Sequence, residues 1–127
     1  EAVFGDQLAL AGYQTIDLRP GAHAHVLLWW RALRRPERNY SAFVHLVGRD
    51  GAIITQFDHL PLRDFCPMQA WPVGVDHRDD YLLKIPADVD LAGARLAIGI
   101  YDRSTGARLP VRVGGQAVGD VVWVPLE

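Results

Sequence analysis

The stretch HAHVLLWWRAL, residues 23–33, decides the fold. Its even positions, Ala24, Val26, Leu28, Trp30 and Ala32, are apolar, while His23, His25 and Arg31 stand at odd positions. That period of two belongs to a strand with one buried face. A helix needs apolar residues at i, i+3, i+4 and i+7, and no window of a dozen residues meets that spacing without Gly or Pro breaking it. Reading outward, the same alternation predicts strands at Leu8–Asp17, Ala42–Val47, Ala52–Asp58, Arg78–Ile85, Arg95–Tyr101, Arg108–Val113 and Val118–Val124, about eight with the first. The expected core is Ala24, Val26, Leu28 and Trp30 beside Val44, Leu46, Leu83, Ile85, Leu96, Ile98 and Ile100.

Turn residues punctuate these runs. Arg19-Pro20-Gly21, Arg49-Asp50-Gly51, Asp102 to Gly106 and Gly114-Gly115 combine glycines, which take positive φ freely, with Asp and Ser side chains that cap turns. Arg49-Asp50-Gly51 and Asp102–Gly106 each join two alternating runs and predict antiparallel hairpins. The stretch Leu60–Val75 differs, because Pro61, Pro67, Pro72 and Gly74 forbid a central strand while Leu62, Phe65, Met68 and Trp71 are too apolar for free solvent. An ordered loop packed across one end or edge of the sheets is expected there, anchored by Trp71. Many short strands, regular turns and less than about a tenth helix predict a single all-β domain over residues 1–127. Its expected architecture is an antiparallel β-sandwich of immunoglobulin-like or jelly-roll kind.

Composition agrees. With 127 residues, 50% of them hydrophobic and 22% charged, the chain has the size and balance of one globular domain, and one cysteine excludes a disulfide framework. Thirteen basic residues against 15 acidic give a net charge of -2, which argues against a nucleic-acid partner. Val26–Trp30 is the longest strongly apolar run, far short of the roughly 20 residues a membrane-spanning helix needs, so neither a membrane segment nor a signal peptide is expected.

Few residues suggest chemistry. His23 and His25 lie on one strand face about 7 Å apart, but no third and fourth ligand follow at a recognisable spacing, so no metal is expected. Asp76, Asp79 and Asp80 invite calcium, yet Arg78 and His77 beside them favour internal charge pairing. No nucleophile among Ser41, Ser104 and Cys66 has a histidine and carboxylate in a catalytic order, so no catalytic residue and no cofactor is expected. Trp30 reads as core. Trp29 shares the polar side with His25 and Arg31, where it either stacks on a sugar ring or is covered by a loop or another domain.

The residues Phe43-Val44-His45-Leu46, Asp50-Gly51, Gln56, Asp58, Pro61, Pro67, Trp71, Gly74, Asp79, Pro86, Gly99-Ile100-Tyr101-Asp102, Thr105-Gly106 and Leu109-Pro110 form a longer pattern. It resembles the soluble C-terminal domain of bacterial membrane glycosyltransferases related to dolichyl-phosphate-mannose protein mannosyltransferases. Phe4-Gly5-Asp6, Leu8 and Gly12-Tyr13 fit the opening of that pattern. Cys66 stands where Tyr is usual, Val73 where Pro is usual, and Asp76-His77 replace apolar residues. The resemblance implies a non-catalytic, extracytoplasmic accessory β-sandwich tethered to a membrane-bound enzyme. Its implied partners are the transmembrane portion of the same polypeptide and a glycan or lipid-linked sugar. A free-standing carbohydrate-binding or adhesion module is the alternative. The candidate glycan-binding or loop-anchoring residues are Trp29, His45, Gln56, Asp58, Trp71 and Asp79. His45, Gln56, Asp58 and Asp79 either face a sugar or join the Leu60–Gly74 loop to the sheet through a buried hydrogen-bond network.

Overall fold

The structure is a computed structural model that describes residues 1–59 and 67–126. Its strands are β1 (Ala2–Phe4), β2 (Leu8–Ile16), β3 (His23–Ala32), β4 (Ser41–Val47), β5 (Ile53–His59), β6 (Asp76–Lys84), β7 (Arg95–Tyr101), β8 (Val111–Val113), β9 (Gln116–Gly119) and β10 (Val122–Pro125). One 3-10 turn occupies Met68–Ala70. Two antiparallel sheets pack face to face, one ordered β6-β3-β2-β1-β8-β9 and the other β10-β7-β4-β5. With 54% strand and 3% helix, the protein is the expected antiparallel β-sandwich. No helix among the described residues is long and apolar enough to cross a membrane.

Alternation explains the layers. Along β3 every even residue is buried and no odd residue is, and the even side meets Val44, Leu46, Leu96, Ile98 and Ile100 from the opposing sheet. All eleven expected core residues are buried. At the centre, Phe4 meets Trp30 edge to face with ring centroids 5.4 Å apart. The indole Nε1 of Trp30 donates to the Tyr81 hydroxyl at 3.1 Å, and Tyr81 in turn donates to Asp79. Burial, reinforced by the Asp79 charge, pushes the Tyr81 hydroxyl well above its ordinary pKa of 10.0. Asp79 also accepts the backbone N–H of Asp80 at 3.2 Å.

Three strand expectations need correction. β1 is not among the expected strands, because its three residues are all apolar and carry no sequence alternation, yet it lies between β2 and β8 with Phe4 fully buried. The run Val118–Val124 is two strands: Gly119 turns with φ 114, leaving β9 beside β8 and β10 beside β7. The Asp102–Gly106 hairpin closes through a single bridge, Tyr101 to Arg108, with Leu109 N donating to Ile100 O at 2.8 Å. Pro110 has no N–H to extend that ladder. Its carbonyl accepts Gly5 N at 2.8 Å instead, and the chain crosses so that β8 pairs with β1. The Gly48–Ala52 turn, by contrast, joins β4 to β5 as an adjacent antiparallel pair.

The described part of the proline-rich loop packs on the sandwich. Met68 and Trp71 are buried, Gly74 N donates to Ala32 O at 2.9 Å, and Gln69 N donates to Asn39 Oδ1 at 3.2 Å. The expectation of an ordered loop at residues 60–66, including Cys66, lies outside the described residues.

Candidate functional site

Period-two geometry also points Phe43, His45 and Val47 of β4 away from the core, onto the outer face of the four-stranded sheet. Backbone register aligns Gly99, Phe43 and Asp58 in one row across that face, and Trp123, Ala97, His45 and Gln56 in the next. Gly99 is decisive. A Cβ there would overlap Cζ and Cε2 of Phe43, so only glycine lets the Phe43 ring lie across β7. The ring is thereby 3% exposed although it faces away from the core. His45 flanks it at 4.5 Å between ring centroids, Tyr101 at 6.2 Å, and the Arg108 guanidinium stands over it at 4.6 Å.

These groups line a groove of about 260 Å³ bounded by Phe43, His45, Asp58, Tyr101, Gly106 and Arg108. The Asp102–Gly106 turn delivers Gly106 and Arg108 to it. Asp102 stabilises that turn by accepting Ser104 N at 2.9 Å and Ser104 Oγ at 2.7 Å, contacts that hold its carboxyl below the usual carboxylate range. Tyr101 donates its hydroxyl to Asp58 Oδ2 at 2.6 Å, and this bond, helped by burial, raises the tyrosine pKa. Arg108 also pairs with Asp120 at 3.5 Å.

His45 is driven the other way. Burial and then the positive charge of Arg108 lower its pKa from 6.5, against a weaker opposing pull from Asp58. The imidazole therefore stays neutral at neutral pH, with one ring nitrogen to donate and one to accept. Together the groove offers a neutral imidazole, a carboxylate, a phenolic oxygen and a guanidinium, held in place by the buried Phe43 ring behind them. That set suits a small hydroxylated ring.

A depressed histidine pKa means the unfolded chain takes up protons first, so the His45 contribution to stability is present above pH 6.5 and lost as pH falls through the lowered folded value. Melting temperatures of the wild-type chain should drop between about pH 7.5 and about pH 5, and His45→Gln should flatten that drop. Parallel pH profiles for the two proteins would rule out this role for His45.

A slightly larger hollow, about 280 Å³, lies between Gly48–Ala52 and Val89–Ala92. Its carboxylates are occupied locally: Asp50 accepts Ala52 N at 3.0 Å, and Asp90 accepts Ala92 N at 2.9 Å. They cap their own turns, which makes the hollow a product of loop geometry.

The structure divides the six expected site residues among four places. His45 and Asp58 meet in the groove, and Gln56 pairs with His45 on the same face. Asp79 faces the interior from the other sheet, bonded to Tyr81. Trp71 is 4% exposed at one end of the sandwich, stacked on His77 with centroids 4.5 Å apart. Trp29 is half-buried on the outer face of the six-stranded sheet, opposite Gly12 and Arg78. Asp79 therefore does not share the groove with His45, Gln56 and Asp58, since alternation sends it inward on a different sheet. Any contact of these residues with residues 60–66 lies outside the described residues.

The aspartate cluster also pairs differently from expectation. Asp76 binds Arg31 Nε at 2.7 Å and Asp80 binds His25 Nδ1 at 3.0 Å, both reaching onto the neighbouring strand β3, while alternation turns His77 and Asp79 to the other face. Phe43, Tyr101, Gly106 and Arg108 complete the groove without having been singled out as site residues. The available signal was the shared parity of Phe43 and His45 opposite a strand containing Gly99. Compared with family models, curated proteins and solved structures, the chain matches none.

Proposed function

We propose that this domain is a non-catalytic, extracytoplasmic accessory module of a bacterial membrane-bound glycosyltransferase, and that its groove holds one pyranose unit of a glycan or acceptor. One observation carries this reading. The segments that resemble such accessory domains, F-V-H-L at Phe43–Leu46, Asp58, and the run Gly99 to Pro110, lie far apart in sequence and converge on the groove. A sugar set there places a C–H face toward the half-buried Tyr101 ring and its hydroxyls toward Asp58, His45 and Arg108. The resemblance favours a tethered module over a free-standing one.

The test is binding of the 127-residue chain to an array of defined mono- and disaccharides, repeated with Asp58→Asn and Arg108→Gln. Each variant should weaken capture at least about tenfold, which is about 1.4 kcal/mol, while the melting temperature stays within about 2 °C of wild type. Absence of any glycan capture, or capture indifferent to both substitutions, would overturn the reading.

A further inference from the structure

Beyond His45 the outer face of the same sheet continues. In the adjacent row, β4, β7 and β10 place His45, Ala97 and Trp123 side by side, with the small Ala97 buried between two larger side chains. Strand spacing of about 4.8 Å puts Trp123 roughly 10 Å from His45. Trp123 is 41% exposed, a large apolar surface on an edge strand, and the Arg95 guanidinium stands 3.6 Å over its ring. That cation–π contact occupies one face of the indole and fixes its orientation.

From this row we infer that the binding surface takes an oligosaccharide of at least two units, one in the groove and the next against the exposed part of Trp123. The inference rests on the groove binding sugar and extends that reading by naming the length of the ligand. The first unit meets converging polar groups, so the groove selects hydroxyl stereochemistry. The second meets chiefly the indole, so it adds affinity through apolar C–H contact and tolerates more variation. Arg95 does not need to touch the sugar; its part is to orient Trp123.

The experiment is a titration of the 127-residue chain with glucose, galactose, mannose and N-acetylglucosamine, and with their di- and trisaccharides, by calorimetry and by tryptophan emission. The disaccharide of the preferred sugar should bind at least about tenfold tighter than the monosaccharide. Trp123→Ala should erase that gain and leave the monosaccharide affinity unchanged, while Trp123→Phe should retain part of it. In the wild type the disaccharide should perturb an emission component that Trp123→Phe lacks, a readout that remains usable if the alanine variant folds poorly. Equal affinity for mono- and disaccharide would overturn the inference and leave the groove reading standing. A Trp123→Ala variant that loses monosaccharide and disaccharide alike would also overturn it, since Trp123 would then be shaping the groove. If none of these sugars bound, the groove reading would fall and the inference with it.

Discussion

Replacing Tyr81 by phenylalanine is expected to lower the melting temperature by about 10 °C, although it removes one oxygen and leaves the ring in place. The hydroxyl sits in the middle of a relay, accepting from Trp30 Nε1 and donating to Asp79. Trp30 and Tyr81 are fully buried and Asp79 is 6% exposed, so water does not readily replace what is lost. Depriving two buried polar groups of their shared partner costs about 1–3 kcal/mol each, and about 3 kcal/mol together is a sound expectation. A chain of this length shifts by roughly 3–4 °C per kcal/mol. Thermal melts of Tyr81→Phe, Asp79→Asn and the double variant would expose the coupling: the double should cost clearly less than the sum. Strict additivity would show that the relay is not a unit.

The relay also sets an alkaline limit. Because the folded state holds the Tyr81 hydroxyl well above 10.0, the unfolded chain loses that proton first. The neutral hydroxyl contributes fully below pH 10 and its contribution is lost as pH climbs above that value toward the raised folded one.

Gly99→Ala should be nearly as damaging to stability and more damaging to binding. The new methyl would occupy the space of the Phe43 ring edge, and the ring has no easy retreat between His45, Tyr101 and Arg108. Overpacking of this kind costs about 1–3 kcal/mol. Expelling the ring also displaces His45 and Arg108, which pack against it, so capture of any groove sugar should fall by more than about tenfold. The check is to measure Tm and glycan capture for Gly99→Ala and for Gly99→Ala combined with Phe43→Leu. Shortening the ring should recover part of the stability and none of the binding. A Gly99→Ala protein with wild-type Tm and binding would show that the ring does not depend on that glycine.

Much of the fold was legible because the half-buried strands announce themselves. His23–Ala32 writes its two faces in alternating chemistry, and Ala24 through Trp30 could be assigned to the core without knowing any partner strand. β1 and the division between β9 and β10 could not be read this way. Three residues carry no period, and a change of sheet at Gly119 is a change of neighbour that local pattern does not encode. The site was less legible for a related reason. His45 and Asp58 could be nominated as polar residues in strands, but their association with Tyr101 and Arg108 depends on β4 pairing with β7 and on the turn after Tyr101. Asp79 looked equivalent in one dimension and proved to be an interior acceptor on the opposite layer.

The placement of β1 governs when this molecule becomes itself. Ala2 pairs with Val113 and Phe4 with Val111, so the first strand of this sandwich acquires its second neighbour only once β8 has been made. β2 with β3, and β4 with β5, are hairpins able to form as soon as they emerge, whereas Val26 must await Tyr81 and Val44 must await Ile98. Long closures of this kind place folding in the millisecond-to-second range, and synthesis at about 5–20 residues per second leaves the N-terminal edge unsatisfied for several seconds. During that interval Phe4, wholly enclosed in the finished sandwich, belongs to an open edge that invites pairing with another chain. The groove inherits the same timing: Phe43 and Asp58 are in hand early, while Gly99, Tyr101 and Arg108 arrive late. A partly made chain thus has no groove, which is assembled only once β7 and the turn after Tyr101 have been made.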